Sequence, residues 1–412
     1  MTRRALPRLE PTFSRPQNAG LTYVSSTDPA ALNIFGVPPS PTGRPVTEIS
    51  AMRVSACYAC VRLIAGTIAS LPVDIYKRGA GNARTKVNES DNLWWVLNEE
   101  PHARWSASNF WKRIVWAELL RGDGLAEIIR GRGGVPVGLK PIWRGSAQIV
   151  LKDDRLSYFF SDETGQMRGL DQDDVLHVPG FGFDGIRGMS AIAWGAHSGI
   201  GIGLATDEFA GRFFGSGAQI KHALRSPGKM LQPQIDALRA QWEERYSGLD
   251  NAFKPLVLTE GLDVKELSLS AADAQLLEAR KFQVIDIARA FGIPPILIGD
   301  NEKTSSWGAG VEQIVLAFLK FTLAERLVTI EQELNRKLFR TAGRFVKFDS
   351  DALLRGDSAS RAAFLRQLVG GSAGPGMVTQ NEARAMEDFP PHPDGNTLYS
   401  PAGQAQGTPA NA

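Results

Sequence analysis

The chain has 412 residues, with 46 basic and 44 acidic side chains and a formal charge of +2. That balance gives no support to a nucleic-acid coat or a membrane-surface binder, although a channel can still concentrate charge locally. An apolar fraction of 43% supports packed cores, two cysteines cannot staple a secreted fold of this length, and no uncharged apolar run is long enough to span a bilayer.

Residues 1–45 are rich in Pro, Ser and Thr and read as a flexible arm. Their start, MTRRALPRLEPTFSRPQ, is basic, but no apolar stretch follows, so no secretory leader is read. The next segment, SACYACVRLIAGTIASLPVDIYKR (55–78), sets Val54, Cys57, Val61, Ile64 and Ile68 on one helical face. Pro72 ends that helix, and VDIYKR alternates like a strand. Cys57 and Cys60 have thioredoxin spacing. They fall inside the helical pattern rather than at its start, and nothing completes a zinc set, so buried packing is the leading reading over redox or metal chemistry.

Residues 92–124 read as two helices, the second stopped by Gly122 and Gly124. Short strand candidates follow, at 125–130, 137–142, 147–152, 156–160 and 174–179. A Gly-rich helix is expected from about Ser190, with Gly195, Gly199, Gly201 and Gly203 implying close neighbours or a kink. Residues 218–270 read as a β-α-β-β module, and a Ser270–Asp273 capping box opens a further helix to about Phe291. After a Gly/Ser/Asn loop, Leu316, Leu319, Leu323, Leu327, Ile330, Leu334 and Leu338 keep three-four spacing over 311–339. That is roughly 43 Å of helix, bent near Thr322, a rod with more use in an assembly than in a monomer. A strand near 346–349, a helix from Ser358 and a capped helix at Thr379 follow, and residues 391–412 read as disordered.

Reaction chemistry finds little footing. His102, His177, His197, His222 and His392 make no metal-spaced pair, and there is no GxSxG or GxxxxGK[ST]. The loop GFGFDGIRG (180–188) lies between a strand and a helix but lacks the lysine and hydroxyl of a phosphate cradle, so a tight turn is expected. Asp153–Asp154, Asp171/Asp173/Asp174 and Asp207–Glu208 are possible Mg²⁺ ligands and more ordinary as solvated loop ends. Arg130, Arg132, Lys140 and Arg144 form a modest basic patch, solvated surface first and phosphate contact second. Trp94, Trp95, Trp105, Trp111 and Trp116, interleaved with Arg104, Lys112 and Arg113, could stack single strands but suit packing better. Neither metal nor cofactor is expected. The residues alone describe a multi-module, oligomeric α+β protein, with a metal-dependent hydrolase and a nucleic-acid-binding module as minor alternatives.

Six segments, taken together and in order, resemble the portal proteins of tailed bacteriophages of the HK97 type. They are the helix-strand unit at 55–78, LLRGDGLAEIIRGRGGVPVGLKPI (119–142), VLHVPGFGFDGIRGMSAI (175–192), EARKFQVIDIARAFGIPPILIG (278–299), EQIVLAFLKFTLAERLVTIEQELNRKLF (312–339) and VTQNEARAMEDFPPHPDG (378–395). Asp123-Gly124-Leu125 stands where the family more often has Asn-Ala-Tyr, and Ala324-Glu325 where it has Pro. The resemblance implies a structural ring protein with no enzymatic activity, usually of twelve subunits, at one capsid vertex of a phage or gene transfer agent particle and assembled in the host cytoplasm. Double-stranded DNA would pass through the ring. Expected partners are the terminase large subunit, the major capsid protein and scaffold, and a head-tail adaptor; no membrane is implied. The family's parts would fall as wing 46–190, first stem helix 190–217, clip 218–270, second stem helix 271–291, tunnel loop region 292–310, tunnel helix and return strand 311–349, and crown 350–390. Val54, Cys57, Val61, Ile64 and Ile68 would be wing core. Lys303, Thr304, Ser305, Ser306 and Trp307 would approach the lumen.

Overall fold

The computed structural model describes residues 40–79, 84–87, 91–142, 147–215, 222–225, 231–237, 240, 263–266, 271–300, 309–339, 343–350, 358–370, 374–387 and 389–399. It divides into two units, residues 1–348 and 349–412.

In the first unit, helix α1 (Glu48–Ala51) opens with a reciprocal cap between Thr47 and Ser50. Helix α2 (Ser55–Ala69) buries Cys57, Cys60, Val61, Ile64 and Ile68, and Val54 just before it is buried too. At this burial each large aliphatic contributes on the order of 1.5–3 kcal/mol. Strand β1 (Val73–Arg78) follows, held at its start by Asn98, which accepts from the Val73 amide at 2.8 Å and donates to its carbonyl at 3.0 Å. β2 (Arg84–Lys86) pairs along one edge of β1. Helices α3 (Asn92–Asn98) and α4 (Ala107–Arg121) lie next, with α4 packed against α2. Gly122 ends α4 in the left-handed region, φ 89°. Gly124 belongs to the following strand: a Cβ there would meet the Ile114 carbonyl oxygen at 2.5 Å.

Two antiparallel three-stranded sheets carry the middle of the unit. β3 (Asp123–Arg130) lies between β4 (Pro136–Pro141) and β8 (Val175–Pro179), while β6 (Arg155–Ser161) lies between β5 (Gln148–Lys152) and β7 (Met167–Asp171). Leu125, Ile142, Ile149, Tyr158, Phe160, Val175 and Ile186 form their shared core. Asp153 and Asp154 have φ of 51° and 58°, so this acidic pair is the two-residue turn of the β5–β6 hairpin.

The Gly-rich helix, expected from Ser190, starts seven residues later as α5 (His197–Gly215). The intervening residues are turns because their backbone bonds elsewhere: the Ala191 amide donates to the Leu119 carbonyl, and Ser190 donates to the Leu120 carbonyl while accepting from the Ala193 amide. The glycines of α5 do serve close approach. A Cβ on Gly201 would sit 2.3 Å from that of Ser40, and one on Gly203 would sit 2.0 Å from the Gln283 amide nitrogen. Ser40 and Thr42, within the stretch read from sequence as a flexible arm, are therefore bound to the fold. β9 (His222–Arg225) pairs with β10 (Asp263–Glu266), and 232–237 is helical. The other expected strand of that module and the Ser270 cap lie outside the described residues. α6 (Ala271–Ala290) packs on α5. A long helix leads from there to β11 (Arg344–Phe348), which pairs antiparallel with β1, Val73 opposite Phe348 and Tyr76 opposite Phe345.

In the second unit, α9 (Ser358–Val369) precedes α10 (Gln380–Met386). Thr379 and Glu382 form the expected capping box, and Arg361 pairs with Glu387. Part of the stretch expected to be disordered is ordered: His392 exchanges hydrogen bonds with the Asn381 side chain, and the Gly376 amide donates to the Tyr399 carbonyl. Residues 400–412 lie outside the described residues.

Candidate functional site: the anchored long helix

The long helix comprises α7 (Ala309–Phe318), a π-helical segment at Leu319–Leu323 and α8 (Ala324–Leu338). Thirty residues span about 45 Å. The sequence places a bend near Thr322, and the structure realises it as a π segment. There the Thr322 hydroxyl donates to the Gly292 carbonyl beyond α6. Leu319, Leu323, Leu327, Ile330, Leu334 and Leu338 are buried, and Leu316 is half-buried. Lys303, Thr304, Ser305, Ser306 and Trp307 lie outside the described residues.

Polar bonds then fix the helix in rotation and height. Arg326 donates to Glu118 of α4 at 2.8 Å. Burial pushes the Glu118 carboxyl up to about 7 despite the arginine, with Asp123 and Glu325 adding to the rise. One turn and more farther on, Glu333 accepts from the His177 amide of β8 at 3.3 Å and from Arg336 at 2.8 Å, while Lys337 donates to the Gln172 carbonyl. Burial lowers the Lys337 pKa, against the pull of Glu333. Glu331 and Asn335 accept from the Phe348 and Val346 amides of β11, each at 2.8 Å. The helix thus grips both sheets it touches.

Beneath it lies a buried polar knot. Asp123 accepts from the Gly188 amide at 2.9 Å and from Arg187 at 3.0 Å, and stands 2.7 Å from His177 Nε2. The other ring nitrogen of His177 is 2.9 Å from the Tyr158 hydroxyl. Arg187 also donates to the Ala147 carbonyl. All four side chains are buried. Asp184 accepts from the Ile186 and Arg187 amides, so the amides of the Gly180–Gly188 loop that could have cradled a phosphate bind carboxylates of the chain itself.

The remaining sequence candidates resolve into structural parts. Asp171 and Asp173 pair with Arg155, and Asp174 pairs with Arg130. Burial opposes ionisation of Asp171, yet Arg155 and the Asp173 amide hold its pKa below the usual range. Among the described residues no group of three or more His, Cys, Asp or Glu side chains is arranged to hold a metal ion. Lys140 of the basic patch pairs with Glu163, and Arg144 lies outside the described residues. Trp111 is buried and donates to the Leu97 carbonyl at 3.1 Å, Trp116 lies under Arg113 at 4.4 Å, and Trp95 is exposed. These tryptophans do not form one stacking surface. Burial pushes both thiols, Cys57 and Cys60, up to about 12, which leaves them protonated and unreactive. The sequence reading does not single out Arg187, Glu118 or Arg326, and marks Asp123 only as a departure from the family's more common Asn. Their signal was a charge set inside an apolar or Gly-rich run, as in LLRGDGLAEII.

An α+β unit of small antiparallel sheets, gripped by one long interrupted helix and followed by a short helical unit, is the architecture of a portal subunit. The phage portal protein family matches residues 55–388, and the chain belongs to that family. It is 32% identical over 359 residues to the portal protein of Enterobacteria phage HK97, covering 85% of this chain and 82% of that protein. With the probable portal protein of Streptomyces phage phiC31 it shares 33% identity over 383 residues, 89% and 81% of the two chains. Its fold also matches a chain in the neck of a native GTA particle computed with C12 symmetry, with a TM-score of 0.54 at 20% identity, covering 88% of this chain and all of that one. No helix among the described residues is long and apolar enough to cross a membrane.

Proposed function

We infer that twelve copies of this chain close into a ring at one vertex of a phage-type capsid, in an infectious phage or a gene transfer agent, and that double-stranded DNA is packaged and ejected through it. One observation carries the ring: the match in fold to a subunit of a neck computed with twelvefold symmetry, alongside membership of the portal family. On this reading residues 46–190 are the wing, α5 and α6 the stem, 218–270 the clip, 311–349 the tunnel helix with its return strand, and 350–390 the crown. The 303–307 loop then faces the lumen. A formal charge of +2 suits a channel through which DNA must slide, because phosphate contacts that are strong at every step would hold it. The terminase large subunit docks on the ring during packaging, capsid protein and scaffold surround it, and a head-tail adaptor replaces the motor. The role is mechanical and structural rather than enzymatic.

Solution mass with negative-stain imaging tests this. Rings with a central hole, at twelve times the 44.8 kDa chain, are expected. A species that stays monomeric at high concentration, even with capsid and scaffold proteins added, would sink the reading.

A further inference from the structure

Along the exposed side of the long helix runs a groove. Its larger part, about 1030 Å³, is walled by Phe181, Trp194 and Phe321, with Glu118 and Arg326 at its base. A second part, about 380 Å³, continues past Gln332 to Lys337, and Pro179, Phe183 and Thr329 line both. From Phe321 to Lys337 the helix wall is about 24 Å long. Four aromatic rings stand open along the groove: Phe321 is 81% exposed, Phe181 77%, Trp194 53% and Phe183 45%. An aromatic strip of this kind marks a surface that something covers.

We propose that the groove is the seat of the chain's own leading segment, residues 1–39. These residues lie outside the described ones, and the place where the described chain begins points to the groove. Ser40 is buried on α5: Thr42 donates to the Gly201 carbonyl at 3.0 Å, and Ser40 itself bonds the Arg44 carbonyl at 2.7 Å. Gly201 is six residues along the chain from Gly195 of the groove wall, at most about 20 Å away. Thirteen residues of extended chain reach about 43 Å, so the last third of the segment suffices to reach the groove and run along most of it. That third has the right chemistry. Leu32 and Ile34, then Phe35 and Val37, alternate as a two-sided apolar ribbon, with Leu21 and Tyr23 farther back. Tethering supplies a millimolar effective concentration, so modest contacts fill the site. The occupant is the segment whether it comes from the same copy or from a neighbour, and a monomer could be seated as well as a ring.

A photo-cross-linking benzoylphenylalanine in place of Phe181 in the full-length chain tests the proposal without disturbing the core. Illumination is expected to give one dominant adduct mapping to residues 1–39, within a chain or between chains as gel mobility shows. An adduct to any other segment, or none, overturns it. Hydroxyl-radical footprinting gives the converse. In a Leu32→Asp/Ile34→Asp/Phe35→Asp chain, oxidation of Trp194 and Phe321 should rise several-fold while buried Trp111 stays protected. Equal rates with and without these substitutions, fast or slow, count against the segment, the slow case indicating that another copy's folded face covers the groove.

Discussion

Arg326 and Glu118 lie 208 positions apart in sequence and are joined by a 2.8 Å hydrogen bond at the base of the groove. The pair is not a simple stabilising ion pair. Burial outweighs the arginine, so the folded state holds a proton on Glu118 up to about pH 7, whereas the unfolded chain releases it near 4.5. Stability from this site is therefore fully present below pH 4.5 and is lost as pH rises through 7, by about 3 kcal/mol at most. Melting temperature should fall between pH 5 and pH 8, and Glu118→Gln should flatten that slope and equal or exceed the parent at pH 8. A parent profile as flat as the variant's would show that Glu118 is ionised throughout.

Asp123 accepts a 3.0 Å hydrogen bond from Arg187, and both are buried. Asp123→Ala leaves the guanidinium in the core without that partner and should cost about 3–5 kcal/mol. Asp123→Asn keeps an acceptor for the Gly188 amide and should cost less. Chemical denaturation of the two variants checks the order; equal losses would mean that charge at this site is unimportant.

Gly122 is constrained twice, by its φ of 89° and by the Gly188 carbonyl oxygen, which a Cβ would meet at 2.3 Å. Gly122→Ala should lose at least about 1–3 kcal/mol from backbone strain alone, before the clash is counted. Gly133, also at positive φ but with open space around it, is the control: its alanine variant should lose only the strain. Thermal melts of the pair separate the two costs.

Cys57 and Cys60 should resist maleimide in the native chain and react fully in denaturant, because a thiol pushed up to about 12 presents almost no thiolate at neutral pH. Rapid labelling under native conditions would show that the α2–α4 contact opens locally.

Local pattern carried much of this fold. The buried face of α2, the stripe from Leu319 to Leu338 and the Thr379 capping box follow from spacing that a helix alone imposes. Contacts between distant segments were not legible in the same way. β2, Arg-Thr-Lys, and β7, Met-Arg-Gly-Leu-Asp, are polar edge strands whose pairing comes from neighbours rather than from their own alternation. The helix expected from about Ser190 starts later because the Ser190 hydroxyl closes a turn and the backbone bond from Ala191 to Leu119 holds off the helix until His197. No sequence pattern marks the groove, since Phe181, Trp194 and Phe321 belong to three separate segments that only the fold brings together.

The β1–β11 pairing has a temporal consequence. Val73 meets Phe348, so the central strand of that sheet lacks one neighbour until some 85% of the chain has been made. On the ribosome, the early helices must therefore wait with part of their apolar surface uncovered, which is the condition that invites chaperone capture or premature association. Synthesis rate and chaperone supply, rather than the stability of the finished subunit, would then set how many competent subunits a host cell delivers. Slowing translation downstream of residue 348 should be harmless, whereas pausing just before residue 344 should raise the insoluble fraction.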